Sequence, residues 1–324
     1  AMFAVYAAGI NRDDPLSVLG VGDLTAPQTP DDWATVTVRA ASLNHHDLWA
    51  LKGQALREEQ VPMILGTDAA GVADDGRDVV VYPVIGDQGA GGGDETLDPA
   101  RSLLSERFPG AIAEHVRVPR ANLVDKPAGI TFEEAACLPT AYLTAYRMIA
   151  TKSGTKSGDT LLVQGAGGGV ATALVVLGKA MDRTVWVTSR DADKAEWAVS
   201  IGADAAFETG AKLPGKADAV METVGEATWS HSLRSLRPGG TVVISGATSG
   251  PNPPADLNRV FFLQLSIVGS TMGTIEEFRE LLSLLERTGV RPVIDRVLPM
   301  EQAREAFAVM AAGDVRGKLV LSRG

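Results

Sequence analysis

Asp159 to Met181 reads DTLLVQGAGGGVATALVVLGKAM. Leu161-Leu162-Val163 is a short apolar run with the character of a buried strand. It stops at Gly165-Ala166-Gly167-Gly168-Gly169, and Val170 to Ala180 continues with apolar residues, mostly good helix formers. Strand, glycine turn and helix open a dinucleotide-binding βαβ unit. A pyrophosphate binds to free backbone N–H groups at the positive end of a helix, and side chains on the turn would hold it away. Ala166, Gly167, Gly168, Gly169 and Val170 are therefore expected to cradle a cofactor, and Ala171 is the small residue that lets helix and strand approach. Glycine-rich strings also occur in linkers, but the flanking strand and helix argue against that reading here.

Strand and helix alternate outward from this unit. Strands are predicted at Thr160–Gln164, Thr184–Ser189, Asp218–Glu222, Thr241–Ser245 and Leu265–Gly269. Helices are predicted at Val170–Met181, Asp193–Ile201, Thr228–Leu236 and Thr274–Arg287. Capping boxes open at Thr131 and Thr274, the first starting a long helix to about Lys152. This alternation predicts a parallel sheet covered on both faces. Before Pro127 the chain is different, with short strands broken by Gly and Pro, a short helix at Asn44–Gly53, and a glycine-rich acidic loop at Gly86–Glu95 that reads as mobile. The end, from Pro292, reads strand, helix, strand, and its closing strand is expected to pair back with the N-terminal β region. The expected organisation is α/β: a doubly wound domain over 127–291 and a β-rich domain made of 1–126 and 292–324.

At 324 residues the chain has room for two domains, and 45% apolar with 22% charged residues describes a folded protein. A net charge of −10 argues against nucleic acid or anionic membrane as the main partner. The single cysteine, Cys137, excludes an internal disulfide and a cysteine zinc cluster. No basic segment followed by a long apolar core opens the sequence, and no apolar run reaches the ~18 residues of a membrane span, so a cytoplasmic location is expected.

Six motifs appear in order over nearly the whole chain: Ser42-Leu43-Asn44-His45-His46-Asp47, Gly66-Thr67-Asp68-Ala69-Ala70-Gly71, Leu143-Thr144-Ala145-Tyr146, Gly165 to Ala171, Ile201-Gly202-Ala203-Asp204 and Gly317-Lys318-Leu319-Val320-Leu321. Together they resemble the medium-chain dehydrogenase/reductase superfamily, and within it the zinc-free quinone oxidoreductase-like branch. The resemblance implies a GroES-like β domain formed from both termini, a Rossmann domain between them, and an active site in the cleft. It also implies a homodimer joined through the last Rossmann strand, here Leu265 to Gly269. With the glycine turn, the expected cofactor-binding set becomes Thr144, Ala166, Gly167, Gly168, Gly169, Val170, Ser189, Arg190, Lys194, Gly246, Gly269 and Lys318.

The chain departs from its zinc-dependent relatives in this superfamily. They carry cysteine where Asn44 stands, Gly-His-Glu where Gly66-Thr67-Asp68 stands, and a third ligand where Thr140 stands. The structural zinc cluster is replaced by Gly86–Glu95. His45 and His46 are adjacent on a helix, ~100° apart, and make poor co-ligands, so no metal is expected. Asn44 has two compatible readings. The resemblance places it near nicotinamide and substrate, where its amide can donate to a carbonyl oxygen gaining charge, and asparagine also favours helix N-caps. Tyr146 is the other catalytic candidate; like Tyr142 it could donate a proton or simply sit in the core.

The cofactor expected is NADPH. An NAD site places an acid at the end of the second strand, roughly 20 residues past the glycine turn. Here Ser189 and Arg190 stand there, with Lys194 one helical turn on. Serine can hydrogen-bond a 2′-phosphate and guanidinium can pair with it. Asp191 could instead serve as the acid, or as the next helix's N-cap. The expected activity is hydride transfer from NADPH to a small electrophilic carbonyl, a quinone or an enone. The alternatives are an alcohol or aldehyde dehydrogenase and a non-catalytic NADP(H)-binding protein.

Overall fold

The strand Ala34–Ser42, ATVTVRAAS, alternates buried and half-buried residues along its first half and is buried throughout at its end. It is the centre of the first of two units in the computed structural model, which describes residues 1–324. The first unit comprises Ala1–Ala141, Thr274–Glu286 and Ile294–Gly324, and the second comprises Tyr142–Gly273 and Arg287–Val293. These bounds differ from the 126/127 and 291/292 divisions read from sequence. Within the first unit Ser42 Oγ donates to Ala136 O, and Phe278 stacks on Tyr82 with centroids 6.3 Å apart.

In the first unit the main sheet runs Leu123–Asp125, Asp78–Val81, Asp68–Ala73, Ala34–Ser42, Lys318–Ser322, Ile294–Pro299. The closing strand therefore does pair back, antiparallel to Ala34–Ser42. Ser42 lies opposite Asp68 on one side and Val320 on the other, which brings positions far apart in sequence to one end of the sheet. A second sheet joins Leu19–Leu24, Met2–Ala7 and Met63–Ile64. The helix Ala303–Ala312 buries Ala303, Ala306, Phe307 and Met310, one apolar stripe. The second capping box forms, with Glu277 N donating to Thr274 Oγ1 at 3.1 Å and Thr274 N to Glu277 Oε1 at 2.9 Å.

Carboxylates of the acidic Gly86–Glu95 loop, and of Asp98 just after it, accept from backbone N–H groups in and next to the loop. Asp87 accepts from Ala90 N, Asp94 from Thr96 N, and Asp98 from Asp87 N, each at 2.8 Å. The aspartates are turn formers here, which a charge count does not distinguish from a repelling run.

The second unit is a six-stranded, wholly parallel sheet in the order Ala205–Glu208, Thr184–Ser189, Thr160–Gln164, Ala217–Glu222, Leu236–Ile244, Ser266–Gly269. Numbered along the chain this is 3-2-1-4-5-6, the doubly wound dinucleotide-binding order. Its core includes Leu162, Val220, Trp229, Leu233 and Val242. The expected long helix from Thr131 is instead segmented. Phe132–Ala135 and Leu143–Arg147 are α-helical, with wider π turns at Leu138–Tyr142 and Met148–Lys152. Pro139, which lacks an N–H, sits in the first wide turn. The helix Leu257–Phe262 was not anticipated, because its Leu257, Phe261 and Phe262 face outward, 70%, 68% and 79% exposed.

Candidate functional site

In the second unit, Thr160–Gln164 ends at Gly165 (φ +87°), followed by Gly167 (φ +96°). Both angles lie where glycine is at ease and other residues are strained. Gly168 precedes the helix Gly169–Ala180, and no side chain caps that helix. A Cβ placed on Gly168 would meet nothing within 4 Å, so the turn faces open space. Helix and second strand come close at Gly178, where a Cβ would lie 2.7 Å from Val185 Cγ2. A glycine deep in an apolar helix is the signal that points to Gly178.

Ser189 closes the second strand with Oγ accepting from Asp191 N at 3.1 Å. Arg190 follows, exposed and free of hydrogen bonds and ion pairs. Asp191 is an N-cap: its Oδ1 accepts from Asp193 N at 2.9 Å and Lys194 N at 3.2 Å. Its carboxylate is thus engaged with the helix that follows, and Lys194 is half-buried in that helix. Gly246 lies just past the strand Leu236–Ile244, and Gly269 ends Ser266–Gly269. With all strands parallel, the glycine turn, Ser189, Arg190, Gly246 and Gly269 share the carboxyl edge of the sheet, where such folds bind ligands. Thr144 is buried, its hydroxyl 3.9 Å from Met272 Sδ. Tyr142 is buried and accepts from Val293 N at 2.8 Å, whereas Tyr146 is half-buried.

In the first unit, Asn44 precedes the helix His45–Leu51 in extended conformation. Asp47 Oδ2 accepts from Asn44 N at 2.9 Å, but the Asn44 side chain does not cap the helix. It turns instead into a buried polar network. Lys318, 2% exposed, donates to Asn44 Oδ1 at 2.7 Å and to Leu43 O at 2.6 Å. Asn44 Nδ2 donates to Asp68 Oδ2 at 2.8 Å and lies 3.4 Å from Thr67 Oγ1. Asp68 Oδ2 also accepts from Ser42 Oγ at 2.7 Å and stands 3.5 Å from the Lys318 ammonium. Thr67 and Thr140 join hydroxyl to hydroxyl at 2.7 Å.

Lys318, expected at the cofactor, is thus placed among Leu43, Asn44 and Asp68. The sheet register explains this, since Lys318–Ser322 runs beside Ala34–Ser42. The contacts of Ser42 and Lys318 with Asn44 and Asp68 were not legible in the sequence. The available signal was a lysine opening an apolar strand, a residue rarely buried unless paired.

His45 and His46 diverge. His45 is exposed, its ring stacked near Trp49. Partial desolvation and the Lys318 and Lys52 charges hold it below the ordinary imidazole value. His46 Nε2 lies 3.0 Å from Glu106 Oε1. Burial disfavours its charged form, but Glu106 and Asp47 outweigh that and raise its pKa. Burial also pushes the Cys137 thiol up, which makes it a poor nucleophile. No group of three or more His, Cys, Asp or Glu side chains converges as a metal site would require.

Residues 30–128 match the family described as alcohol dehydrogenase GroES-like domain, and residues 169–287 the family described as zinc-binding dehydrogenase. A zinc-type alcohol dehydrogenase-like protein of Schizosaccharomyces pombe is 30% identical, over 88% of this chain and 89% of its own length. A crystal structure of an NAD-dependent alcohol dehydrogenase superposes with TM-score 0.90 at 32% identity, covering 100% of both chains. A 2-octenoyl-CoA carboxylase reductase in complex with NADP and 2-octenoyl-CoA superposes with TM-score 0.90 at 26% identity, over 99% of this chain and 87% of that one. No helix is long and apolar enough to cross a membrane.

Proposed function

The chain belongs to the medium-chain dehydrogenase/reductase superfamily, and from that premise we propose that it is a zinc-independent, NADPH-dependent reductase acting on a quinone or an α,β-unsaturated carbonyl. The observation that carries the reading is the donor set around Asn44. Zinc needs three or four converging N, S or O donors with free lone pairs. Here Asn44 Oδ1 accepts from Lys318, and the Thr67 and Thr140 hydroxyls are bonded to each other. No thiolate or imidazole joins them, so these residues do not fit zinc. Activation of a carbonyl then falls to hydrogen bonds and charge. Acceptors that delocalise the incoming electrons themselves are the ones such a site can reduce.

When bound, NADPH supplies the hydride. The N–H groups of Ala166 to Val170 would hold its pyrophosphate, and the Arg190 guanidinium, free of other partners, would bind the 2′-phosphate together with Ser189. Asn44 Nδ2 donates one hydrogen to Asp68 Oδ2 at 2.8 Å and the other, in a longer bond of 3.4 Å, to Thr67 Oγ1; the longer bond is the one an acceptor's oxygen would replace. The Thr67–Thr140 hydroxyl pair, next along the chain of contacts, offers a protic route for the proton that completes reduction. The similar reductase crystallised with NADP and 2-octenoyl-CoA supports a conjugated acceptor. The proposal includes a homodimer through the free edge of Ser266–Gly269, beside the exposed Leu257, Phe261 and Phe262.

A second reading, an NAD-dependent alcohol dehydrogenase, is favoured by the 32% identity to a structure of that activity. Oxidation of NADPH assayed with quinones, with enones and with no acceptor, with and without a chelator, separates the two. The proposal expects acceptor-dependent, chelator-insensitive turnover of at least one conjugated class. Alcohol oxidation with NAD, or one zinc per chain with activity lost on chelation, would overturn it.

A further inference from the structure

We propose that Lys318 is a positioning residue, whose buried ammonium holds the Asn44 amide in the one orientation that turns its N–H groups away from Lys318. This rests on the reading above that Asn44 meets the acceptor's oxygen. An amide can flip, exchanging oxygen and nitrogen at little cost unless its partners object. Here both partners object. Lysine has donors only, so the amide atom 2.7 Å from Nζ must be oxygen. The nitrogen then faces Asp68 Oδ2 at 2.8 Å, a carboxylate oxygen that also receives Ser42.

The two anchors are held from outside the amide. Lys318 is fixed by Leu43 O at 2.6 Å and by its ion pair with Asp68, and only 2% of it is exposed. Asp68 and Ser42 are fully buried and directly opposed across two paired strands. The group therefore has little freedom to rearrange when an acceptor arrives, which is the condition for stabilising charge without reorganisation. The ammonium donating to Oδ1 also polarises the amide, making its N–H a stronger donor. An ammonium thus supplies positive charge behind the donor in a site whose side chains do not fit a metal.

The test uses the whole protein with Lys318→Met, Lys318→Arg, Asn44→Ala and the Met/Ala double variant. Asparagine-selective 15N labelling follows the Asn44 side-chain amide directly and is independent of turnover. In the wild type its two protons should be inequivalent and slow to exchange; in Lys318→Met they should exchange at least tenfold faster. With any accepted substrate, Lys318→Met should lower kcat roughly 10–100-fold while the NADPH dissociation constant changes less than threefold. In the Asn44→Ala background the same substitution should have no further effect on kcat. If Lys318→Met does not fold, Lys318→Arg carries the test, because guanidinium keeps the charge but not the geometry. An unchanged amide signal overturns the proposal. So does a tenfold or greater loss of NADPH affinity with kcat intact, which would make Lys318 a cofactor ligand, or an additive double variant. A wild type that turns over no conjugated acceptor defeats the functional reading instead, and the amide measurement still decides the role of Lys318.

Discussion

Lys318 Nζ lies 2.7 Å from Asn44 Oδ1 and 3.5 Å from Asp68 Oδ2; Lys318 and Asp68 each open a strand of the first unit's sheet, and Asn44 follows the strand between them. Removing the ammonium alone leaves an acceptor and a carboxylate buried without it. Lys318→Met should lower stability by about 3–5 kcal/mol. Adding Asp68→Leu should recover much of that loss, since replacing both partners avoids the unpaired charge. Urea titration of the three proteins measures this; a single-variant loss below ~1 kcal/mol would place the pair among surface-like ion pairs.

On the proposed reading, Asn44→Ala removes a donor that acts on developing charge. Turnover should fall roughly 10–1,000-fold while NADPH affinity is kept. Steady-state kinetics and calorimetric titration check both halves. A variant with full turnover and reduced thermal stability would leave Asn44 a purely structural residue.

Arg190→Ala should weaken NADPH binding by ~1–3 kcal/mol and barely change NADH binding. The guanidinium is exposed and unpaired, so its removal disturbs no other contact. Equal losses for both cofactors, or a wild type that prefers NADH, would show that it holds no phosphate.

Asp47 is fully buried; that burial, with a smaller contribution from Asp68, outweighs His46, the Asn44 N–H and Lys318 and leaves its pKa raised to about 6. The folded state holds this proton more tightly than the unfolded chain. The stabilisation is complete below the unfolded value of ~3.9 and is lost as pH rises through about 6. About two pKa units correspond to roughly 3 kcal/mol. Asp47→Asn should keep the acceptor for Asn44 N and gain on the wild type between about pH 4 and 7. Parallel stability–pH curves for the two proteins would contradict this.

Ile267, 45% exposed on the edge strand Ser266–Gly269, is the point at which to test association. Ile267→Glu should shift a dimer to monomer at micromolar concentration with the second unit still folded. Light scattering of wild type and variant gives the answer, and a monomeric wild type refutes the dimer outright.

What was legible in the sequence was what local chemistry encodes. The Gly165–Gly169 turn, the Thr274–Glu277 capping box and the alternation through 160–269 each follow from neighbours within a few residues. Leu257–Phe262 was not legible, because its apolar residues face outward and gave no amphipathic signal of a packed helix. The segmentation around Pro139 needed a breaker to be weighed against a strong cap. The network of Ser42, Asn44, Asp68 and Lys318 was the least legible, because only strand register unites it. The motifs containing all four residues stood out, but what they touch did not.

The same register bears on how the molecule assembles. Ser42 and Asp68 close a loop of 26 residues, whereas Lys318 and Asn44 close one of 274. By the logarithmic cost of loop closure the second is about 2 kcal/mol harder to form from an open chain. Most of the second unit, Tyr142–Gly273, is a continuous stretch that emerges from the ribosome before Lys318 does. Lys318, the hydrogen-bond partner of Asn44, is thus synthesised after that whole stretch. During synthesis the polar end of the first sheet waits, unfinished, until the closing strand completes it.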